Sequence, residues 1–276
     1  QRQTGTFSAP ALGAALGDAG ILRRALPNSG GDPIELWMVF NELEKAGAPY
    51  DDLAISLLVA AVVDKVGTPM QRETVVPQLT SGRVRACLGY SEPDYGSDVA
   101  AITTKAVRDG ETWVINGAKM WTSMGHAADW MILLTRTNTE VPKHKGLTMF
   151  LTEMNKPGFD CQPVHTLGGQ RTNATFYSDF RIPDTDRIGD AEGGWGVMKV
   201  ALVYERGGSL GASGPTLPER VAAWAQTSTM DDGSLVYDNP LVKEKLARIA
   251  IDVEIAKLLG SKVAWVSKTG GLPGVE

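Results

Sequence analysis

Apolar residues recur at helical spacing through the first eighty positions. Asp32-Pro33-Ile34-Glu35 reads as an N-cap, a proline at the first helical position and an early carboxylate. Leu36, Trp37, Phe40 and Leu43 then fall on one helix face, and Gly47 stops the run. A second apolar helix is expected over 51–66. Thr68-Pro69-Met70-Gln71 repeats the capping logic for a third, which ends near Ser81-Gly82. From 83 to about 188 the period shortens. Asp109-Gly110 and Asn116-Gly117 flank Thr112-Trp113-Val114-Ile115, the pattern of a hairpin. Residues 130–134 and 147–151 read as buried strands, and 174–180 alternates with period two up to Pro183. Short strands at this spacing predict a small antiparallel barrel or sandwich. After Gly193-Gly194-Trp195 helix returns over about 194–213, a polar stretch at 227–239 reads as a loop, and an amphipathic helix is expected over 240–267. Leu241, Leu246, Ile249, Val253, Ala256 and Leu259 lie on one face of that last helix.

The expected class is therefore α+β, with a helical domain at 1–82, a β domain at 83–190 and the first half of a helical bundle at 191–276. The end of the chain, Gly270 to Glu276, is loop-like, and both ends are taken as incomplete.

The 276 residues are 43% hydrophobic and 21% charged, an ordinary globular balance, with a net charge of −5. No basic stripe argues for nucleic acid. No apolar run nears the roughly 20 residues that cross a bilayer, and no signal-peptide pattern opens the chain. A cytoplasmic protein is the expectation. Cys87 and Cys161 lie in strand-like segments and are read as reduced core thiols in preference to a disulfide. The three histidines have no spacing to cysteine or carboxylate that would hold a metal.

The candidate chemistry is concentrated in two stretches. Leu88-Gly89-Tyr90-Ser91-Glu92-Pro93-Asp94-Tyr95-Gly96-Ser97-Asp98 puts hydroxyls on one tight loop, where Gly96 allows close backbone approach. Lys119-Met120-Trp121-Thr122-Ser123 puts an indole two residues before a hydroxyl, on the same face if the segment is extended. A planar cofactor with a polar rim needs such equipment. The pair closely resembles the flavin-contacting segments of acyl-CoA dehydrogenases, and the resemblance runs from about residue 33 to 265.

That resemblance implies FAD as cofactor, with Leu88, Tyr90, Ser91, Trp121 and Ser123 contacting it and Ser97 facing the CoA part of an acyl-CoA substrate. It implies an N-terminal helical domain, a middle antiparallel β-barrel domain and a C-terminal four-helix bundle, here incomplete. The implied reaction removes the α-proton of an acyl thioester to a carboxylate and the β-hydrogen as a hydride to flavin N5. Burial beside flavin and acyl chain raises such a base toward neutrality. In Ala201-Leu202-Val203-Tyr204-Glu205-Arg206, Glu205 falls on one of the two positions where family members carry the base, and Arg206 on the arginine kept beside it. Glu92 and Asp98 are the rival carboxylates. Glu92 is assigned to holding backbone amides and Asp98 to organising the turn.

The Arg-x-x-Phe-Gly segment of typical members is missing, since the corresponding region reads Ala225-Gln226-Thr227. This departure, with Lys143-His144-Lys145-Gly146 and Thr172-Asn173-Ala174-Thr175, is similar to the base-bearing subunits of heteromeric actinobacterial enzymes of steroid side-chain breakdown. The implied partners are an electron-transfer flavoprotein and a homo- or hetero-oligomer, α2β2 in the heteromeric case. The alternatives are a non-catalytic subunit that has kept the fold, or an acyl-CoA oxidase.

Overall fold

The structure, a computed structural model, describes residues 9–26, 28, 32–167, 169, 171–207 and 216–269. By internal contacts it divides into two units, 1–31 with 50–206, and 32–49 with 207–276.

In the first unit, α1 (Pro10–Asp18) precedes α3 (Asp51–Val66) and α4 (Pro69–Thr80). The Thr68 capping box is formed: its hydroxyl accepts from the Gln71 N–H and the Gln71 side chain accepts from the Thr68 N–H. The Gln71 amide then donates to the carbonyls of Thr185 and Arg187, so one cap also ties α4 to the far end of the sheet. A buried ion pair between Arg85 and Asp52, 2.5 Å apart, joins α3 to the first strand.

The sheet has eight strands: β1 (Ala86–Gly89), β2 (Lys105–Asp109), β3 (Thr112–Lys119), β4 (Trp130–Arg136), β5 (Leu147–Glu153), β6 (Phe159–His165), β7 (Arg171–Pro183) and β8 (Arg187–Ile188). Its order is β6-β7-β3-β2-β4-β5-β8, with β1 also on β4. Two expectations are corrected here. The sheet is not closed into a barrel, because its path ends at β6 on one side and β8 on the other. Nor is it purely antiparallel, because β1 and β2 both run parallel to β4. The physical reason is that β1 and β2 share one line along β4. The chain leaves that line at Gly89 and returns at Lys105, which pairs with Arg136. The stretch between is the candidate loop.

The β2–β3 hairpin turns at Gly110, as the Asp-Gly signal predicts. Asn116-Gly117, by contrast, is no turn. It sits inside β3, where the register against β7 slips between Ile115 and Gly117. Gly117 has φ +148, and a Cβ there would lie 2.7 Å from the Thr104 Cα. The missing side chain lets the returning end of the loop lie against β3.

The uninterrupted apolar run of β4 is explained by cover on both faces. Ile132 and Leu134 join Val59, Val62, Val75 and Leu79 of α3 and α4, and Val197, Met198 and Ala201 of α5 (Gly194–Gly207). Met131 and Leu133 face a second core with Trp113, Ile115, Phe150, Tyr177 and Phe180. Each such buried side chain contributes about 1.5–3 kcal/mol. Cys87 and Cys161 lie on β1 and β6 as free thiols, the first buried and the second half-buried.

The second unit contains α2 (Pro33–Lys45), α6 (Thr216–Thr227) and α7 (Pro240–Lys268). Asp32 accepts from the Ile34 N–H, as an N-cap should. Gly260 of α7 passes close to the Trp37 indole, where an added Cβ would be 3.4 Å away. The stretch expected as a loop holds one 3-10 turn, Val236–Asp238, and a bridge between Thr229 and Leu235. The apolar face predicted for the last helix is largely uncovered: Leu241, Ile249 and Leu259 are exposed, and among the described side chains of α7 Val263 and Ala264 are the buried ones. Helix 208–213 and the loop-like end at 270–276 lie outside the described residues. No described helix is long and apolar enough to cross a membrane, and no metal-ligating cluster occurs among the described residues.

Candidate active site

The two candidate stretches are bonded to each other. The Met120 N–H donates to the Ser91 carbonyl at 2.9 Å. The Lys119 ammonium, wholly buried, donates to the Tyr90 carbonyl and to Glu92 Oε1, each at 3.0 Å. Glu92 is also buried and accepts from the Thr103 N–H, the Thr103 hydroxyl and the Thr104 N–H, all at 2.8 Å. The Glu92 and Tyr95 backbones exchange hydrogen bonds across the turn. The reading of Glu92 as a holder of backbone amides therefore describes what it does. Lys119 was missed as a site residue. Its signal was a lysine at the end of a strand whose face alternation points it inward.

Burial pushes the Glu92 carboxyl up, but the Lys119 charge and the hydrogen bonds from Thr103 and Thr104 outweigh it and hold the group at about 2, below its ordinary 4.5. For Lys119 burial dominates and draws its ammonium down to about 8, against the pull of Glu92. The folded value for Glu92 is the lower one, so its contribution is complete above pH 4.5 and is lost as pH falls toward about 2. Urea unfolding across that window is expected to show a loss of up to about 3 kcal/mol that a Glu92→Gln variant, weaker throughout, does not repeat. Parallel curves for the two proteins would refute the assignment.

Tyr90 is buried, and its hydroxyl has no hydrogen-bond partner among the described residues. Burial, and then the negative charge of Glu205, push its phenol well above the ordinary range. Tyr90 belongs to the same core cluster as Ala201, against which Leu202 and Tyr204 pack. Glu205 stands one helical turn beyond Ala201 on the same face of α5 and is exposed. A buried phenol without a partner thus lies within electrostatic reach of the candidate base.

Trp121 is 57% exposed and has φ +63, a left-handed backbone that only a few per cent of non-glycine residues adopt. The segment is therefore not extended, and the same-face argument for Ser123 is replaced by a tight turn in which the Ser123 N–H bonds the Trp121 carbonyl at 2.9 Å. Ser91 is half-buried, and Ser97 and Ser123 are exposed. Leu88 is half-buried on β1 opposite Ile132. Asp98 pairs with Lys143 at the surface. Arg206 lies in the last turn of α5, and its side chain lies outside the described residues. A pocket of about 340 Å³ opens beside the returning end of the loop, lined by Thr103, Lys105, Arg136, Asn138, Thr139 and Lys143 among others.

Residues 87–181 match the acyl-CoA dehydrogenase middle domain and residues 192–276 the acyl-CoA dehydrogenase C-terminal domain. The chain is 37% identical to the acyl-CoA dehydrogenase FadE26 of Mycobacterium tuberculosis over 81% of its own length and 57% of that protein's. It is similar to the structure of the Tcur3481-Tcur3483 steroid ACAD at TM-score 0.80 and 33% identity, covering 96% of this chain and 68% of that one. It is also similar to the ChsE4-ChsE5 complex from M. tuberculosis, at TM-score 0.77 and 30% identity over 96% and 69%. The chain belongs to the acyl-CoA dehydrogenase family. It spans just over half the length of FadE26.

Proposed function

We propose that this protein carries out α,β-dehydrogenation of an acyl-CoA thioester, with Glu205 taking the α-proton. The observation that carries the proposal is the position of Tyr90–Ser91. Its backbone is bonded to the Lys119–Met120 segment just before the exposed Trp121, and its phenol lies within reach of the Glu205 charge. Tyr90–Ser91 thus joins the segment that precedes the exposed indole to the core against which α5 packs.

The residues suit FAD. Trp121 offers an open indole, Ser91 and Ser123 offer donors, and the Tyr90 hydroxyl is a buried group in want of a partner. FAD, when bound, accepts the β-hydride at N5. Tyr90, Ser91, Trp121, Ser123 and Leu88 would hold and orient the ring. Glu205 would remove the α-proton, with Leu202 and Tyr204 on the apolar side of its helix. Ser97 and Arg206 are assigned to the substrate. Lys105, on the rim of the pocket, suits the phosphates of CoA.

A steroid-type acyl group, the heteromeric α2β2 assembly and electron-transfer flavoprotein as the electron acceptor are further parts of the proposal. The likeness to the steroid ACAD supports the first two.

The test is anaerobic. The purified protein should bind FAD and lose its yellow colour on addition of a saturated acyl-CoA, with slow recovery in air. Rapid recovery in air would make it an oxidase. Bound flavin that no acyl-CoA reduces would make it a non-catalytic subunit.

A further inference from the structure

We propose that Asn173, on β7, is a positioning residue that extrudes Trp121 from the sheet and holds it in the shape that receives the flavin. The proposal rests on the reading of Trp121 given above and extends it to a residue that touches neither flavin nor substrate.

The argument is one of register. Lys119 faces Thr175 in the β3–β7 ladder. Carried on by two residues, that antiparallel pairing would set Trp121 opposite Asn173. The observed bond is different: it is the Thr122 N–H that donates to the Asn173 carbonyl, at 2.9 Å. One extra residue has therefore been taken up on the β3 side, and that residue is Trp121. It takes a left-handed conformation, as the first residue of a G1-type bulge does, and its indole leaves the ladder for the surface. A left-handed non-glycine residue costs on the order of 1–3 kcal/mol and persists only where its surroundings over-determine it. Met124, three residues on, is left-handed as well.

Asn173 supplies the over-determination. Its side-chain amide donates to the Thr122 carbonyl at 2.8 Å, so Thr122 is gripped at its N–H and its C=O by a single residue. Asn173 is wholly buried. Its Oδ1 accepts from the Arg171 Nε at 2.9 Å, which fixes which end of the amide faces Thr122. The Nδ2 also lies 3.4 Å from His126 Nδ1, beyond the turn. On the other side of Trp121, Met120 is bonded to Ser91. The indole is thus the one part of the segment left unheld between two anchors, one on the 90–92 loop and one on Asn173.

The chemistry selects the test. Asn173→Asp keeps the size and the acceptor for Arg171, replaces the donor to the Thr122 carbonyl and to His126 by a carboxylate oxygen, and adds a buried negative charge beside Arg171. It should weaken FAD binding tenfold or more and change the visible flavin spectrum, beyond what the lowered melting temperature of the flavin-free protein accounts for. In the same preparation kcat should fall with KM for acyl-CoA nearly unchanged. Arg171→Met, which frees the amide to turn over, should weaken FAD several-fold in the same sense, and it keeps the question open to refutation should the aspartate variant not fold. Trp121→Ala is the control for the underlying reading. If Trp121→Ala loses FAD but Asn173→Asp, or Arg171→Met in its place, binds it as the unaltered protein does, the positioning role is overturned and the flavin reading stands. If Trp121→Ala binds FAD normally, both fall.

Discussion

Glu205→Gln is expected to retain FAD and to slow its anaerobic reduction by acyl-CoA by roughly 10²–10⁴-fold, the usual worth of a general base. Flavin should remain because the groups assigned to the ring sit on the 88–91 and 121–123 segments, not on α5. The carboxylates that compete for the role are engaged elsewhere. Glu92 is buried against Lys119 and filled by three donors from Thr103 and Thr104, so it has no lone pair to spare for a thioester proton. Asp98 faces Lys143 at the surface. Glu205 is exposed, and its charge bears on the Tyr90 phenol, which has no hydrogen-bond partner among the described residues. Stopped-flow reduction of the variant decides the matter. A rate near that of the unaltered protein would move the base to another residue and leave Glu205 an ordinary surface carboxylate.

What the chain states locally, it states clearly. Thr68 and Gln71 announce their capping box, Asp32 its N-cap, and Asp109-Gly110 its turn, because each of these depends on residues within one turn of each other. The two candidate segments are local strings of the same kind. Long-range pairing was not. Nothing in Ala86–Gly89 tells whether it lies parallel or antiparallel to β4, and the open, mixed sheet follows from that pairing. Asn116-Gly117 carries a turn signature, yet its glycine serves the close approach of Thr104, a residue from another strand's approach. Asn173 could be seen only as one letter of a family-like string. Its grip on Thr122 depends on a one-residue slip between β3 and β7 that no periodicity records. On α7 the period was right, but the face it marks is exposed among the described residues, since periodicity shows which side is apolar and not what covers it.

Lys119→Met should cost about 3–5 kcal/mol, because removing one member of a buried ion pair strands the other without a counter-charge. Lys119 is wholly buried and Glu92 nearly so, and the two meet at 3.0 Å. The methionine fills the same volume, so packing loss is small and the change reports the charge. Arg136 compensates only weakly, since its own guanidinium is committed to the carbonyls of Ala100, Ile102 and Lys143. One carbonyl contact goes with the ammonium: the Tyr90 carbonyl loses its donor, and the link from β3 to the start of the loop falls back on the Met120–Ser91 bond. The loss should therefore be felt twice, as a lower urea midpoint and as weaker FAD binding. A second substitution separates charge from scaffold. Glu92→Gln in the Lys119→Met background removes the stranded charge and should restore part of the stability, a coupling that a double-mutant cycle measures directly. Recovery should be incomplete, because a neutral amide holds the Thr103 and Thr104 N–H groups less strongly than a carboxylate does. Should Lys119→Met unfold at the same urea concentration as the unaltered protein, the pair contributes no net stability and the loop is held by its backbone bonds alone.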